Sequence, residues 1–226
     1  MGRTIRRCAV ESPDIQHDAY RRFSVGLMAD VAADLVGPNV VFHHSKLNFK
    51  WFDATDAVKW RQDIQFFPHA NDNVVTIGCY LADTDMTHGP LAALRGSHHE
   101  DLYDQYDAAG NWTGMLSDAD AAGVDMGRVE HMAGKAGSIT IHNARTLHCS
   151  PTSKSARPRP LNCDTSADAE PCTAHPSPTA NACRVVRGEA ARWAHHDPRP
   201  SRIPPDGSGG YISIYAAQAG EDAAAG

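Results

Sequence analysis

The stretch that decides the fold is residues 39–50, NVVFHHSKLNFK, which predicts a long β-strand. It follows directly on Gly37-Pro38, a pair that is typical of the end of a helix. Residues 73–81 and 137–142 have a similar β-rich composition and lie between polar, glycine-containing turns. Short strands separated by such turns are typical of a closed or sandwiched all-β core.

A helical region precedes this first long strand. Residues 18–36 carry an apolar side chain at every fourth position, which is the spacing of one face of an α-helix. These apolar side chains are Phe23, Leu27, Val31 and Leu35. The sequence therefore predicts an N-terminal helical region over residues 1–36.

The remaining segments complete one predicted domain of 226 residues, which is long enough to bury a core. We expect the β core over residues 39–165. It is interrupted by a polar insert, residues 101–130, which we expect to form a loop with a short helix over one mouth of the core. Residues 166–226 are expected to form C-terminal loops. Within them, residues 211–215 (YISIY) alternate like a closing strand.

The composition excludes several classes of protein. A net charge of −6 and a pI near 6.1 argue against a protein that binds nucleic acid, which would usually present a basic face. No apolar run approaches the roughly 18 residues that a membrane span needs. The basic N-terminal residues are not followed by the apolar stretch of a secretory signal. We therefore expect a cytoplasmic protein that binds a small molecule and neither a membrane nor nucleic acid.

Two distant parts of the sequence could together form a metal site. Residues 60–63, WRQD, contain a carboxylate at Asp63, and His148 follows the predicted strand 137–142. A histidine and a carboxylate two positions apart on a strand, with a distant histidine, form the metal-binding face of non-heme iron oxygenases. Here Asp63 and His148 match two of the ligands, while Arg61 stands at the position of the third. For His148 alone, a buried or surface histidine without a metal is the alternative.

Several motifs resemble those of the phytanoyl-CoA dioxygenase family, in the same order along the chain. WRQD at residues 60–63 resembles the Trp-His-Gln-Asp of the family, and GPL at 89–91 followed by RGSH at 95–98 resembles its GPL and PGSH motifs. Residues 136–142 resemble the strand that leads to the second histidine. His148 and Ser150, with Arg159 eleven residues after the histidine, resemble the distal His-x-Ser and arginine motif. The resemblance is dense over residues 20–165.

This resemblance implies a mainly β fold with a double-stranded β-helix (jelly roll, cupin-like) core and flanking helices. It also implies a dioxygenase that uses Fe(II) and 2-oxoglutarate to hydroxylate a small organic substrate. Asp63 and His148 would be the catalytic metal ligands, and Arg159 and Ser150 would hold the carboxylate of 2-oxoglutarate. The co-substrate would also be faced by Asn48 and, less closely, by Lys46. A solvated arginine and an exposed polar strand residue are the alternatives for Arg159 and Asn48.

Arg61 is the main departure from the family pattern. A guanidinium has only hydrogen-bond donors, so it cannot coordinate a metal. We expect Arg61 to pair with Asp63, to occupy the metal position and to weaken iron binding. Histidines His69 and His142 lie near the motifs, but similar sequences carry histidines there beside an intact ligand set, so we do not expect either to replace the missing ligand. The segment after Arg159 is also less apolar than a core strand is expected to be.

Two hypotheses follow. The first is an Fe(II)/2-oxoglutarate-dependent oxygenase whose activity is impaired by Arg61. The second is a catalytically inactive protein with the same fold, which binds a ligand or a partner chain and forms a homodimer or a heterodimer.

Overall fold

The structure, a computed structural model, describes residues 9–51, 57–66, 69, 71–168, 181, 183–200 and 214–219. Its strands are β1 (Ala9–Glu11), β2 (Val40–Lys50), β3 (Val58–Arg61), β4 (Val74–Tyr80), β5 (Leu91–Leu94), β6 (Val129–Met132), β7 (Ile139–Asn143), β8 (His148–Ser150), β9 (Arg159–Asp168) and β10 (Arg184–Arg187). Its α-helices are α1 (Pro13–Gln16), α2 (Asp18–Phe23), α3 (Ala29–Val36), α4 (Asp118–Ala122) and α5 (Ile214–Ala219). No helix among these described residues is both long enough and apolar enough to traverse a lipid bilayer.

The strands form two antiparallel sheets. In the larger sheet the order is β1-β2-β9-β4-β7, and β10 also pairs with β2. In the smaller sheet the order is β3-β8-β5-β6. Strands that are distant in sequence are neighbours in both sheets, and residues from both sheets line one cavity between them. The prediction of a mainly β, jelly-roll core is confirmed, as are the strands predicted at residues 39–50, 73–81 and 137–142.

Helices cover the outer face of the larger sheet. Met28 and Ala32 are fully buried against Val40 and Ile77 of β2 and β4. The helix predicted over residues 18–36 is divided into α2 and α3 by a π-helical turn, Ser24–Met28. Within this turn Gly26 has a non-helical backbone with φ −97° and ψ −107°. The apolar spacing was continuous across this point, so it did not reveal the break.

The insert packs against the smaller sheet. Leu116 and Val124 of the insert are buried together with Leu94 and Leu147. The short helix expected there is α4. Burial of these apolar residues fixes the insert on the sheet, although most of its surface is polar.

Two expectations about the C-terminal half were wrong. The segment after Arg159 looked too polar for a core strand, yet β9 lies at the centre of the larger sheet and pairs with both β2 and β4. The closing strand expected at residues 211–215 is contradicted at its end, because Ile214 begins helix α5. Residues 211–213 lie outside the described part of the chain.

Candidate metal and co-substrate site

A cavity of about 120 Å³ lies between the two sheets. Alternate residues of β9 face into it, because successive side chains of a strand point to opposite faces. All of the site residues expected from the sequence line this cavity: Lys46, Asn48, Arg61, Asp63, His148, Ser150 and Arg159. The structure therefore brings together residues that are more than a hundred positions apart in the sequence.

The turn that carries Asp63 is fixed by a buried glutamine. The strand β3 ends at Arg61, and Asp63 begins a 3-10 helix, so the two are not both on one strand as the sequence suggested. Gln62, between them, is fully buried. Its side chain donates to the Arg145 carbonyl oxygen at 2.8 Å and accepts from the Tyr103 amide at 2.9 Å. These bonds fix the turn that presents the carboxylate.

His148 turns its Nε2 toward this carboxylate. The side chain is 1% exposed, and its Nδ1 lies 2.9 Å from the Thr146 carbonyl oxygen, so Nδ1 must be the donor. In the neutral ring Nε2 then carries the lone pair. This Nε2 lies 3.4 Å from Asp63 Oδ1 and has no hydrogen-bond partner among the described residues. Two electron-pair donors that face each other need a cation or a proton between them.

His142, which sequence reasoning had set aside, reaches the same point. Its Nε2 lies 3.6 Å from Asp63 Oδ2, and the three residues Asp63, His142 and His148 each offer a ligand atom within 4.8 Å of the others. Burial and the neighbouring His148 lower the pKa of His142 to about 4, despite the opposing effect of Asp63. The ring is therefore neutral at neutral pH, and a lone pair is available. His69 is buried but does not line the described cavity.

The signal for His142 was present in the alternation of its strand. Thr140 and His142 are two positions apart on β7, and both face the cavity. The alternation shows which face a side chain occupies, but it gives no distance to Asp63. Only the packing of β7 beside β4, with His142 in register with Thr76, brings the imidazole to the carboxylate.

Arg61 forms the ion pair that the sequence suggested. Its Nε lies 3.3 Å from Asp63 Oδ1, and the two side chains are 17% and 14% exposed. Burial by itself would raise the pKa of Asp63. The charge of His148 in its protonated form and the charge of Arg61 outweigh burial and hold the pKa of Asp63 well below its usual value of 3.8. Asp63 is thus a carboxylate for which a guanidinium and a metal ion would compete.

Arg159 is a buried cation that contacts no carboxylate among the described residues. The residue is 3% exposed, and its Nε and Nη1 have no hydrogen-bond partner among the described residues. A buried guanidinium is costly unless it is paired. Its unbonded nitrogen atoms fit a planar carboxylate. This orphaned group is what a binding site for 2-oxoglutarate requires.

Two of the other three side chains that were expected to face 2-oxoglutarate already have polar partners in the structure. Ser150 Oγ donates to the Gly89 carbonyl oxygen at 3.0 Å and accepts from Lys50 Nζ at 2.9 Å. Its proton is therefore already used. Lys46 Nζ lies 2.7 Å from a carboxylate oxygen of Glu11. Asn48 makes only a weak 3.7 Å contact to the Cys163 thiol, so its amide is the more available of these groups.

Several solved structures have a similar fold. EctD from S. alaskensis, in a crystal structure with bound Fe, has 19% identity and a TM-score of 0.60, covering 71% of this chain and 57% of that chain. The non-heme alpha-ketoglutarate-dependent carbocyclase SnoK from nogalamycin biosynthesis has 19% identity and a TM-score of 0.61, covering 74% and 65%. The non-heme monooxygenase ThoJ has 17% identity and a TM-score of 0.65, covering 87% and 70%. At these identities the similarity shows a shared fold.

Sequence comparison shows the family. A protein of Stutzerimonas stutzeri, named a probable alpha-ketoglutarate-dependent hypophosphite dioxygenase, is 34% identical over 142 residues, which are 62% of this chain and 49% of that protein. The chain thus spans about half the length of this curated relative. The family model described as phytanoyl-CoA dioxygenase (PhyH) matches residues 6–161, more than half of the chain. The protein belongs to the phytanoyl-CoA dioxygenase family.

Proposed function

We propose that this protein is an Fe(II)- and 2-oxoglutarate-dependent dioxygenase that oxidises a small molecule, and that Asp63, His142 and His148 hold the iron. The observation that carries the proposal is the convergence of two imidazoles on one carboxylate, in the same cavity as the unpaired Arg159. Two histidines and a carboxylate are the ligand set of non-heme iron oxygenases. Relatives whose names include iron or alpha-ketoglutarate support the assignment.

Each residue has a separate role in this proposal. Asp63 supplies negative charge, and His142 and His148 supply neutral nitrogen ligands. The bond from His148 Nδ1 to the Thr146 carbonyl oxygen fixes the ring with Nε2 toward the metal position. Arg159 binds a carboxylate of 2-oxoglutarate through the nitrogen atoms that have no other partner. Bound iron supplies the activation of dioxygen that side chains cannot provide.

Arg61 impairs this site in our proposal. A unit positive charge ~4 Å from a divalent ion is repelled by roughly 8 kcal/mol at an effective dielectric constant of 20. Arg61 must therefore move away from Asp63 before iron binds. We expect weaker iron binding and lower activity than in a chain with histidine at this position.

The ion pair between Arg61 and Asp63 favours a second function. If the guanidinium keeps the carboxylate, the protein is an inactive member of the family that binds an anion at Arg159 and associates with a second chain, either a copy of itself or an intact relative. This alternative predicts 2-oxoglutarate binding without iron.

The test is metal content and turnover of the purified protein after anaerobic addition of Fe(II). We expect stoichiometric iron and a slow release of succinate from 2-oxoglutarate when oxygen is admitted. His142→Ala should lose iron, and Arg159→Gln should keep iron but lose 2-oxoglutarate binding. His131→Ala, at an exposed histidine, is the matched control and should change neither. Binding of 2-oxoglutarate with no iron and no succinate would instead establish the inactive protein.

A further inference from the structure

The charged side chains around the cavity do not balance. Among its described lining residues, the carboxylates Glu11 and Asp63 face the cations Lys46, Arg61 and Arg159. Lys46 is paired with Glu11 at 2.7 Å, and Arg61 with Asp63 at 3.3 Å. Arg159 is left over, with two buried nitrogen atoms unbonded. With every imidazole counted as neutral, these groups leave one excess positive charge.

Binding of the metal and the co-substrate leaves the excess positive charge at one, but the unpaired cation is then Arg61 instead of Arg159. This step depends on the function proposed above. A divalent ion and doubly ionised 2-oxoglutarate cancel in charge. Asp63 would then coordinate the metal, and Arg159 would bind a carboxylate of the co-substrate. Arg61 would lose the one anion that it contacts among the described residues, while its side chain is only 17% exposed. Such a cation needs a new anionic partner.

The size of the cavity limits what this partner can be. One water molecule needs roughly 10–15 Å³ of such a cavity, so about 120 Å³ corresponds to about ten water positions. Bound 2-oxoglutarate would fill most of these positions, because covalently bonded atoms lie closer together than water molecules do. A second ligand in the space that remains must therefore be small.

We propose that the substrate of this site is a small monoanion, an inorganic oxyanion or a short carboxylate, and that Arg61 binds its charged group. The anion must carry an oxidisable hydrogen. In the balanced reaction, one atom of dioxygen enters that X–H bond and the other enters succinate, while 2-oxoglutarate loses CO₂. The anion and 2-oxoglutarate each give up two electrons, and dioxygen accepts all of them. Arg61 then has a role that histidine at this position would not have.

The test is calorimetric titration of the protein loaded with Fe(II) and 2-oxoglutarate without oxygen, so that binding is measured without turnover. Hypophosphite and formate are the anionic probes, one inorganic and one a carboxylate. Methanol and formamide are neutral probes of similar size. We expect at least one anion to bind and neither neutral compound to do so. The two anions distinguish the two sources of the charged group.

Variants at one position identify the residue responsible. Arg61→Gln should weaken binding of the anion about tenfold or more, since a charge-assisted hydrogen bond is lost, and leave the affinity for 2-oxoglutarate within about twofold. Arg61→Lys should retain part of the anion affinity. Equal anion binding by wild type and Arg61→Gln, or preference for neutral probes, overturns this inference. If the wild type binds iron and 2-oxoglutarate but no anion, only this inference fails. If it binds neither iron nor 2-oxoglutarate, the proposed function fails as well.

Discussion

At the scale of the residue, one guanidinium and two imidazoles surround a single carboxylate. Asp63 lies within 3.3 Å of the Arg61 guanidinium and within 3.6 Å of both imidazoles. The guanidinium stabilises the carboxylate without a metal, while the imidazoles add ligands that only a metal can use. In the proposed function, the residue at position 61 would therefore control the affinity for the metal even though it is not itself a ligand.

The substitution Arg61→His tests this competition. It removes the positive charge and supplies a further nitrogen ligand, so the affinity for Fe(II) should rise tenfold or more. Equilibrium dialysis of Fe(II) under argon would measure the change. Arg61→Lys, which keeps the charge, should leave the affinity low. If the histidine variant binds iron no better than wild type, Arg61 does not oppose the metal.

At the scale of the element, the sequence predicted the strands that are rich in β-branched and aromatic residues. The strands β2, β4 and β7 were predicted because their β-branched and aromatic residues lie between turn residues. β9 could not be predicted in this way, because polar residues lie on both of its faces. Arg159 and Cys163 face the cavity, while Asp164 bonds to Ser24 of the helical layer. Polar residues with such distant partners look like loop residues in a sequence.

The grouping of the candidate site residues could be predicted only in part. Asp63, His148 and Arg159 were selected because short motifs carry them, and all three line the cavity. His142 could not be assigned, because its role depends on the distance between two strands rather than on spacing along one of them. The pairing of Arg61 with Asp63 was predictable, since opposite charges two residues apart near the end of a strand can meet across the following turn.

The contact between β9 and the helical layer should make stability depend on pH. Burial raises the pKa of Asp164 to about 7, although hydrogen bonds from Ser24 and Asn162 act in the opposite direction. Between pH ~4 and ~7 the folded state keeps a proton that the unfolded state has released, so the free energy of unfolding falls as pH rises through this window. The loss, a few kcal/mol, is complete above pH ~7.

Asp164→Asn should remove this dependence. Asparagine can accept from Asn162 and donate to Ser24, whose own proton can go to the Tyr20 carbonyl oxygen at 3.0 Å. Urea unfolding at pH 5 and pH 8 should show a variant more stable than wild type at pH 8 and similar to it at low pH. Asp34→Asn, at an exposed aspartate of α3, serves as the control. A variant with the same pH slope as wild type would show that Asp164 is ionised in the fold.

The central strand β4 depends on a glycine where it passes β7. A Cβ at Gly78 would lie 2.6 Å from Thr140 Oγ1 and 3.0 Å from Leu161 Cδ1. A β-branched threonine in a strand cannot easily rotate away. Gly78→Ala should therefore lower the free energy of unfolding by about 1–2 kcal/mol in urea titrations. Gly123→Ala, where the nearest atom is 3.4 Å away, should change it by less than about 0.5 kcal/mol. If Gly78→Ala leaves the free energy of unfolding unchanged, β4 and β7 must be able to move apart at this position.

At the scale of the whole molecule, the cavity of the candidate site lies between two sheets, and both of them line it. Ligands that bind there stabilise the entire fold, since they bind the folded state alone. The cavity is formed by both sheets, so neither sheet can be lost without losing the site.

Thermal unfolding should report each ligand separately. A ligand at a hundred times its Kd adds about 2.7 kcal/mol, which raises the Tm of a domain of this size by about 5–10 °C. Fe(II) and 2-oxoglutarate should each give such a rise in anaerobic differential scanning fluorimetry. Arg159→Gln should lose the rise caused by 2-oxoglutarate and keep the rise caused by iron. A rise with 2-oxoglutarate alone would favour the inactive protein.

The pairing of β2 with β9 affects how the chain folds while the ribosome is synthesising it. Lys50 is in register with Arg159, and Val40 with Asp168, so each pair joins residues more than a hundred positions apart. At typical rates of synthesis a ribosome completes β9 about ten seconds after β2. During that interval the apolar side chains of β2 have no sheet to join, and nascent chains can aggregate. Production at low temperature, where hydrophobic association is weaker, should therefore increase the yield of folded protein.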